Sequence, residues 1–361
     1  MRVKLLVFLL GVIPLSSMST QARTLSLQFE PTQKSSEYAT AGIARKAAKR
    51  MLVFDAVAQS LPWSSLSLRQ AATIFQHANT EHEPDDGEEY RSQEMHLLAF
   101  FMYKEAHRIN GGEFPVTFLG PYRYTVVMGL PKELSETFVQ DEDTKSWNIT
   151  PNMMSDEERL RNGFPFGLFS AIQSTRWPTL DSDERNTLRD EEVAKLYLGD
   201  QLTRSLFKKD EMIFNRYIER VTDSQRRARL YEMMAEDVPW DAKTLLDAAV
   251  ILNDTQSVLI YQGKTRFQLQ ENHLFAFFLS RKAFLMGKAE AAPLIVESLN
   301  TYIKVSEMPD DFGIYIKSEG LNKICQKNPR ISVERWGKAE FPFHLGRKIK
   351  PLCIQPEKGE Q

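Results

Sequence analysis

Several stretches of this chain combine residue types that could do chemistry. EHEPDDGEEY, residues 81 to 90, is a dense acidic run, and DSDERNTLRDEE, residues 181 to 192, is a second. Carboxylates at alternating positions are what a calcium loop needs, with glycine at its sixth position to turn the backbone. Counting back from Gly87 puts His82 and Pro84 at ligand positions, so the first run does not fit. In the second, Asp181, Asp183, Thr187 and Glu192 fall at loop positions one, three, seven and twelve, but Arg185 and Asn186 take five and six. A cation would stand among the ligands, and the glycine is missing. The second run therefore reads as an acidic helix N-terminus, which the helix dipole favours.

The remaining candidates are sparse. His96 and His107 are eleven residues apart on one expected helix, roughly 16 Å, which is too far for one metal ion to bridge. They read as surface histidines. Cys325 and Cys353 are the chain's 2 cysteines; neither has a CxxC partner, and only His344 lies nearby, so a disulfide is expected rather than a metal site. Closing that loop would stabilise the fold by about 3–4 kcal/mol on the chain-entropy estimate. No nucleophile elbow, HExxH pair, phosphate loop or dinucleotide fingerprint occurs, so no catalytic residue is named, and neither a metal nor a cofactor is expected.

VESLN, residues 296 to 300, resembles the Glu-Ser opening of lytic transglycosylases, which are exported helical proteins. That family's following Gly-Leu-Met-Gln signature is absent, and YIKVSEMPDD comes instead. Glu297 then reads as the solvated face of a helix whose apolar side is Ala291, Ile295, Leu299 and Tyr302.

The elements that would position such residues are mainly helical. Apolar residues at helical spacing predict helices over 41–60, 66–78 and 88–109, the last stopped by Gly111 and Gly112. Leu25, Leu27 and Phe29 alternate as in a short strand ended by Pro31. Residues 113 to 182 are rich in Pro, Gly and aromatics and read as a loop-heavy connector with one strand around Tyr124 to Met128. From Asp183 to Ser306 the pattern is helical again, in pieces of about 12 to 20 residues. Turn signals stand at Asp237-Val238-Pro239, Asn253-Asp254, Gly263 and Gly287. Residues 309 to 361 carry five prolines and five glycines and read as an irregular cap containing both cysteines.

Short helices joined by short turns call for a search for repeats. In YQGKTRFQLQENHLFAFFLSRKAFLMGKAEAAPL, residues Ala276, Lys282, Ala283, Gly287 and Ala291 fall as A-x5-K-A-x3-G-x3-A, with Tyr261 and Gly263 read as closing the previous helix. This stretch resembles one unit of the Sel-one-like repeat family, relatives of tetratricopeptide repeats. AKLYLGDQL, residues 194 to 202, resembles the start of another unit. The resemblance implies helical hairpins in which Ala276, Ala283 and Ala291 allow close helix approach and Gly287 supplies a left-handed residue. Leu279 and Ser280 stand where the family has aromatics, and Ile295 where it has glycine. An ordinary helical bundle accounts for the same small residues.

At the N-terminus, Arg2 and Lys4 precede an apolar run from Leu5 to Leu15, and Thr20 and Ala22 sit at the minus-three and minus-one positions of a small-residue cleavage site. That is the layout of a secretory signal over 1–22, with an apolar run of about eleven residues where a bilayer span needs about 20. No transmembrane segment is expected in the mature chain. The remaining 339 residues (361 minus 22) divide into a helical region over 23–112, the connector over 113–182, a repeat-like helical region over 183–308 and the cap over 309–361. A net charge of −2 supplies no field for recruiting nucleic acid. The expectation is a mainly α, exported protein, periplasmic or secreted, whose packed hairpins form a scaffold engaging another protein or peptide. The alternatives are a periplasmic enzyme acting on cell-wall polymer and a structural or immunity-like partner of a secreted protein.

Overall fold

The computed structural model describes residues 49–60, 63–76, 90–91, 94–110, 124, 138–140, 147–149, 155, 157–158, 182–207, 223–236, 239–255, 258–261, 264–306, 310–316, 324–327 and 353–354, and within them the chain is mainly α. Helix α1 covers residues 49–58. It is followed by α2 (Ser65–Gln76), α3 (Met95–Asn110), α4 (Ser182–Phe207) and α5 (Ser224–Ala235). Then come α6 (Ala242–Asn253), α7 (Gln270–Leu285) and α8 (Ala292–Val305). The secretory run, the strand at 25–29, the acidic run up to residue 89, most of the connector, the basic GRKIKP end and His344 lie outside the described residues.

From Leu274 to Leu279 helix α7 is apolar without a break, and such a segment has no stable place but the middle. LFAFFLS and Ala283-Phe284 are all buried, with α6 on one flank and α8 on the other. Phe275 stacks on Phe54 of α1 at 4.5 Å between ring centroids, and Phe54 meets Phe75 of α2 at 5.4 Å. Helix α2 packs on α3, and α3 on α5, so one core runs through all of these helices.

The turn from α7 into α8 is a paired-hydrogen-bond cap. Lys288 N–H donates to the Ala283 carbonyl and Gly287 N–H to the Phe284 carbonyl, both at 3.0 Å. Gly287 takes φ +96, the left-handed conformation the sequence asked for. Its role is conformational only, because a Cβ there would meet nothing within 4 Å. Ala276, Ala283 and Ala291 are fully buried, and Pro293 lies in the first turn of α8.

Strands β4 (Val258–Tyr261) and β5 (Lys264–Gln268) form an antiparallel hairpin between α6 and α7. Tyr261 therefore lies in a strand and does not close a helix; the preceding helix ends at Asn253. Strand β1 (Tyr90–Arg91) joins the other edge of β5 in parallel, with Tyr90 opposite Phe267 and Arg91 opposite Gln268. The third helix consequently begins at Met95 and not at residue 88, because its first residues are drawn into the sheet. Tyr124 is helical, contrary to the strand expected there. A separate pair, β2 (Phe138–Gln140) with β3 (Trp147–Ile149), is antiparallel.

Helix α4 runs 26 residues without a break, so Ala194 to Gly199 lie mid-helix and do not open a hairpin. Its start at Ser182 places Asp183 and Glu184 in the first turn, as an acidic helix N-terminus. Strands β6 (Ile314–Ile316), β7 (Ile324–Gln326) and β8 (Cys353–Ile354) form an antiparallel sheet in which Cys325 and Cys353 are direct partners. Asn300 of α8 brackets β6, its amide N donating to the Ile314 carbonyl at 3.0 Å while its oxygen accepts from Ile314 N–H at 3.1 Å. That approach is why residue 313 is glycine: a Cβ would come within 2.4 Å of the Asn300 oxygen.

These packing facts set unequal costs. Ala283→Leu should overpack the hairpin and lower stability by about 1–3 kcal/mol. Gly287→Val should cost a similar 1–3 kcal/mol, here through backbone strain. Lys288→Ala should stay within about 0.5 kcal/mol. Denaturant unfolding of the three variants measures this, and equal small shifts in all three would contradict it.

Candidate functional site

The parallel register of β1 and β5 has a consequence for polar chemistry. Three residues past Arg91 stands Glu94, and three past Gln268 stands Glu271, so the N-terminal ends of α3 and α7 lie side by side. Gln270, Glu271, Asn272 and His273, four consecutive polar residues, are all buried there. Glu94 and Arg227 of α5 are each about 1% exposed and meet in a bidentate ion pair. Arg227 Nε donates to the two carboxylate oxygens at 2.8 and 3.1 Å, and Nη2 to Oε1 at 2.8 Å. Asn272 Nδ2 donates to Glu94 Oε2 at 2.8 Å, and the Tyr231 hydroxyl lies 3.0 Å from that oxygen and 2.6 Å from Asn272 Oδ1. Burial, reinforced by the Glu94 charge, pushes the Tyr231 phenol well above its ordinary value.

Two further pairs extend the network. Arg50 of α1 donates through Nε and Nη2 to Glu271 Oε1 at 3.0 and 2.9 Å. His273 Nδ1 lies 3.2 Å from Asn253 Oδ1 at the end of α6. Burial, and then the nearby Arg227 charge, lowers the His273 imidazole to about 4. Each of these groups is enclosed, so the network joins α1, α3, α5, α6 and α7 and offers no open face to a substrate.

A second cluster is half open. Asp200 and Arg204 of α4, Asp223 just before α5, Arg226 of α5 and Asp254 at the end of α6 converge. Arg204 Nη2 is 2.9 Å from Asp223 Oδ2, and Arg226 Nη1 is 2.5 Å from Asp223 Oδ1. Elsewhere along α4, Glu192 receives a bidentate pair from Arg229 of α5 at 2.7 and 2.8 Å. Arg189 lies over the Trp240 ring at 4.9 Å. All these ties are on one side of α4. The opposite side carries Leu198, Leu202 and Leu206, exposed at 65, 60 and 67%.

The residues singled out from sequence fare unevenly. His96 is buried and not a surface histidine, while His107 is half-buried on the same helix. Glu297 is exposed on α8, and Ala291, Ile295, Leu299 and Tyr302 form its buried side. The network of Glu94, Arg227, Tyr231 and Asn272 and the cluster of three aspartates were missed, since each is assembled from segments far apart in sequence. The one local signal was QENH directly ahead of the apolar run LFAFFL, a polar first turn where a buried start was needed. No family model, no curated protein and no solved structure matches this chain.

Removing one partner of a buried ion pair strands the other charge. Glu94→Leu and Arg227→Met should each destabilise by about 3–5 kcal/mol, and the double variant should lose clearly less than the sum. Denaturant unfolding of the full cycle measures the coupling; losses additive within about 0.5 kcal/mol would contradict a direct pair.

Proposed function

We propose that this chain is an exported helical scaffold whose outer α4 face holds another protein or peptide. The observation that carries the reading is the stripe of Leu198, Leu202 and Leu206, three large apolar side chains at spacing four on the exposed side of a helix fastened from behind. Fully burying a leucine stabilises by about 1.5–3 kcal/mol, so a partner covering the stripe gains a useful share of that from each. The stripe is about 12 Å long, which suits an amphipathic helix laid along α4 with its own apolar side inward.

In this reading the stretch over about 260–294, which contains α7 and the start of α8, is one unit of Sel-one-like type, supported by the buried Ala276, Ala283 and Ala291 and the left-handed Gly287. Export is supported by the basic start and apolar run at the N-terminus, and by the cysteines. Paired antiparallel residues have Cα atoms about 4.5–5.5 Å apart, inside the range a disulfide spans. Cys325 and Cys353 occupy such a pair, and among the described residues there is no free cysteine. No helix among the described residues is long and apolar enough to cross a membrane. The alternative, a periplasmic enzyme acting on cell-wall polymer, draws on the convergence of Asp200, Asp223 and Asp254, since paired carboxyls are general-acid chemistry.

A photo-crosslinking side chain placed at Leu202 in the producing cells should give a discrete adduct, and Leu198→Glu with Leu206→Glu should abolish it without loss of helix content. The same probe at Lys195 on the same exposed side should give markedly less. An adduct indifferent to the charged substitutions would refute docking at this stripe. Separately, mass spectrometry of the unreduced protein from the cell envelope should find an N-terminus at Arg23 and a peptide linked through Cys325 and Cys353. A start at Met1 or two alkylatable thiols would overturn the export reading.

A further inference from the structure

Where α4, α5 and α6 meet, three carboxylates face two guanidinium groups, so the cluster carries one more negative charge than positive. Asp223 has a settled place. Two arginines hold it at 2.5 and 2.9 Å, and it stands at the N-cap of α5, where the helix dipole favours an anion. Asp254 is placed in the opposite way, at the C-cap of α6, where the dipole disfavours one. Its Oδ2 also competes with Asp200 for donors. Gln201 Nε2 lies 3.0 Å from Asp200 Oδ2 and 3.0 Å from Asp254 Oδ2. Arg204 Nε lies 3.1 Å from the first oxygen and 3.2 Å from the second. Two carboxylate oxygens gathered on the same two N–H groups repel while both are charged, and one proton turns that repulsion into an O–H···O bond.

We propose that Asp200 and Asp254 share one proton, carried on Asp254, and that its release toward neutral pH slackens the end of α6 against α4, making this three-helix junction a pH-responsive latch. Burial pushes the Asp254 carboxyl up to about 6, with Arg204 opposing and the Asp200 charge adding to the rise. The groups facing it are Asp200, Gln201 and Arg204 from α4, while Asp223 and Arg226 of α5 complete the cluster. From α7, His273 reaches Asn253, the neighbour of Asp254 in sequence.

The direction follows from the raised value. An acid whose folded value lies above its ordinary one contributes stability that is fully present below about 4 and is lost as pH rises through about 6. His273 works the other way. Its folded value is lowered to about 4, so its contribution is present above 6.5 and is lost as pH falls toward 4. Global unfolding mixes the two, so the test has to be residue-resolved.

The full chain labelled with carboxyl-13C aspartate, titrated by NMR between about pH 3 and pH 8, reads the proton directly. One aspartate signal should titrate near 6 and vanish in Asp254→Asn. In Asp200→Asn that signal should move to lower pH, with proton affinity reduced at least about fivefold, because the like charge is gone. Amide exchange over the last turn of α6, corrected for intrinsic rate, should be slower at pH 5 than at pH 7.5 in the unaltered chain and alike at both in Asp254→Asn. Asp254→Ser replaces Asp254→Asn if the amide variant does not fold. An Asp254 signal titrating with ordinary aspartates near about 4 would overturn the shared proton. An α6 exchange rate indifferent to pH in the unaltered chain would overturn the latch.

Discussion

A guanidinium and a carboxylate 133 residues apart in sequence, Arg227 and Glu94, are both taken out of water and must find each other for the core to close. Neither can be left alone, because an uncompensated buried charge costs several kcal/mol, a large share of the margin by which a domain is folded. Their meeting is set by backbone register. Arg91 opposite Gln268 fixes how far α3 and α7 have advanced when their first turns come level, and a slip of one residue would carry Glu94 away from Asn272. Two strand residues therefore align two helices, and the ion pair then fixes α5 against both.

Helix α4 is held by different means. Its inner side is fastened through half-buried ion pairs to α5 and α6 and through Arg189 over Trp240, with Val193 reaching the core. Such contacts position a helix without demanding an apolar inner face, and they leave the leucines free to lie outside. The contrast with α7 is one of burial: one helix has its apolar middle enclosed, the other carries three leucines on its exposed side. A carboxyl pair that takes up or loses a proton at the junction of α4 and α6 would act on the attachment of the helix that carries the stripe.

The parts of this architecture governed by local rules were legible in the sequence. Gly287 announces a left-handed cap, and the 3.6-residue pattern of Ala291, Ile295, Leu299 and Tyr302 a buried face. The parts governed by pairing at a distance were not. Tyr90 and Arg91 have a helical context and become a strand only because β5 offers an edge. His96 reads as polar and hence exposed, yet sits inside because its helix is enclosed on that side. Glu94 and Arg227 carry no spacing signature at all, since their partnership is a property of the closed fold.

Native-state hydrogen exchange across the full chain tests most directly whether the buried network makes these helices one cooperative unit. The slowest amides of α3, α5 and α7 should share one opening free energy, equal to that of global unfolding. Amides of α3 that open at a clearly lower free energy while α7 stays protected would contradict it, and would mean that the Glu94 and Arg227 pair decorates the core without holding it together.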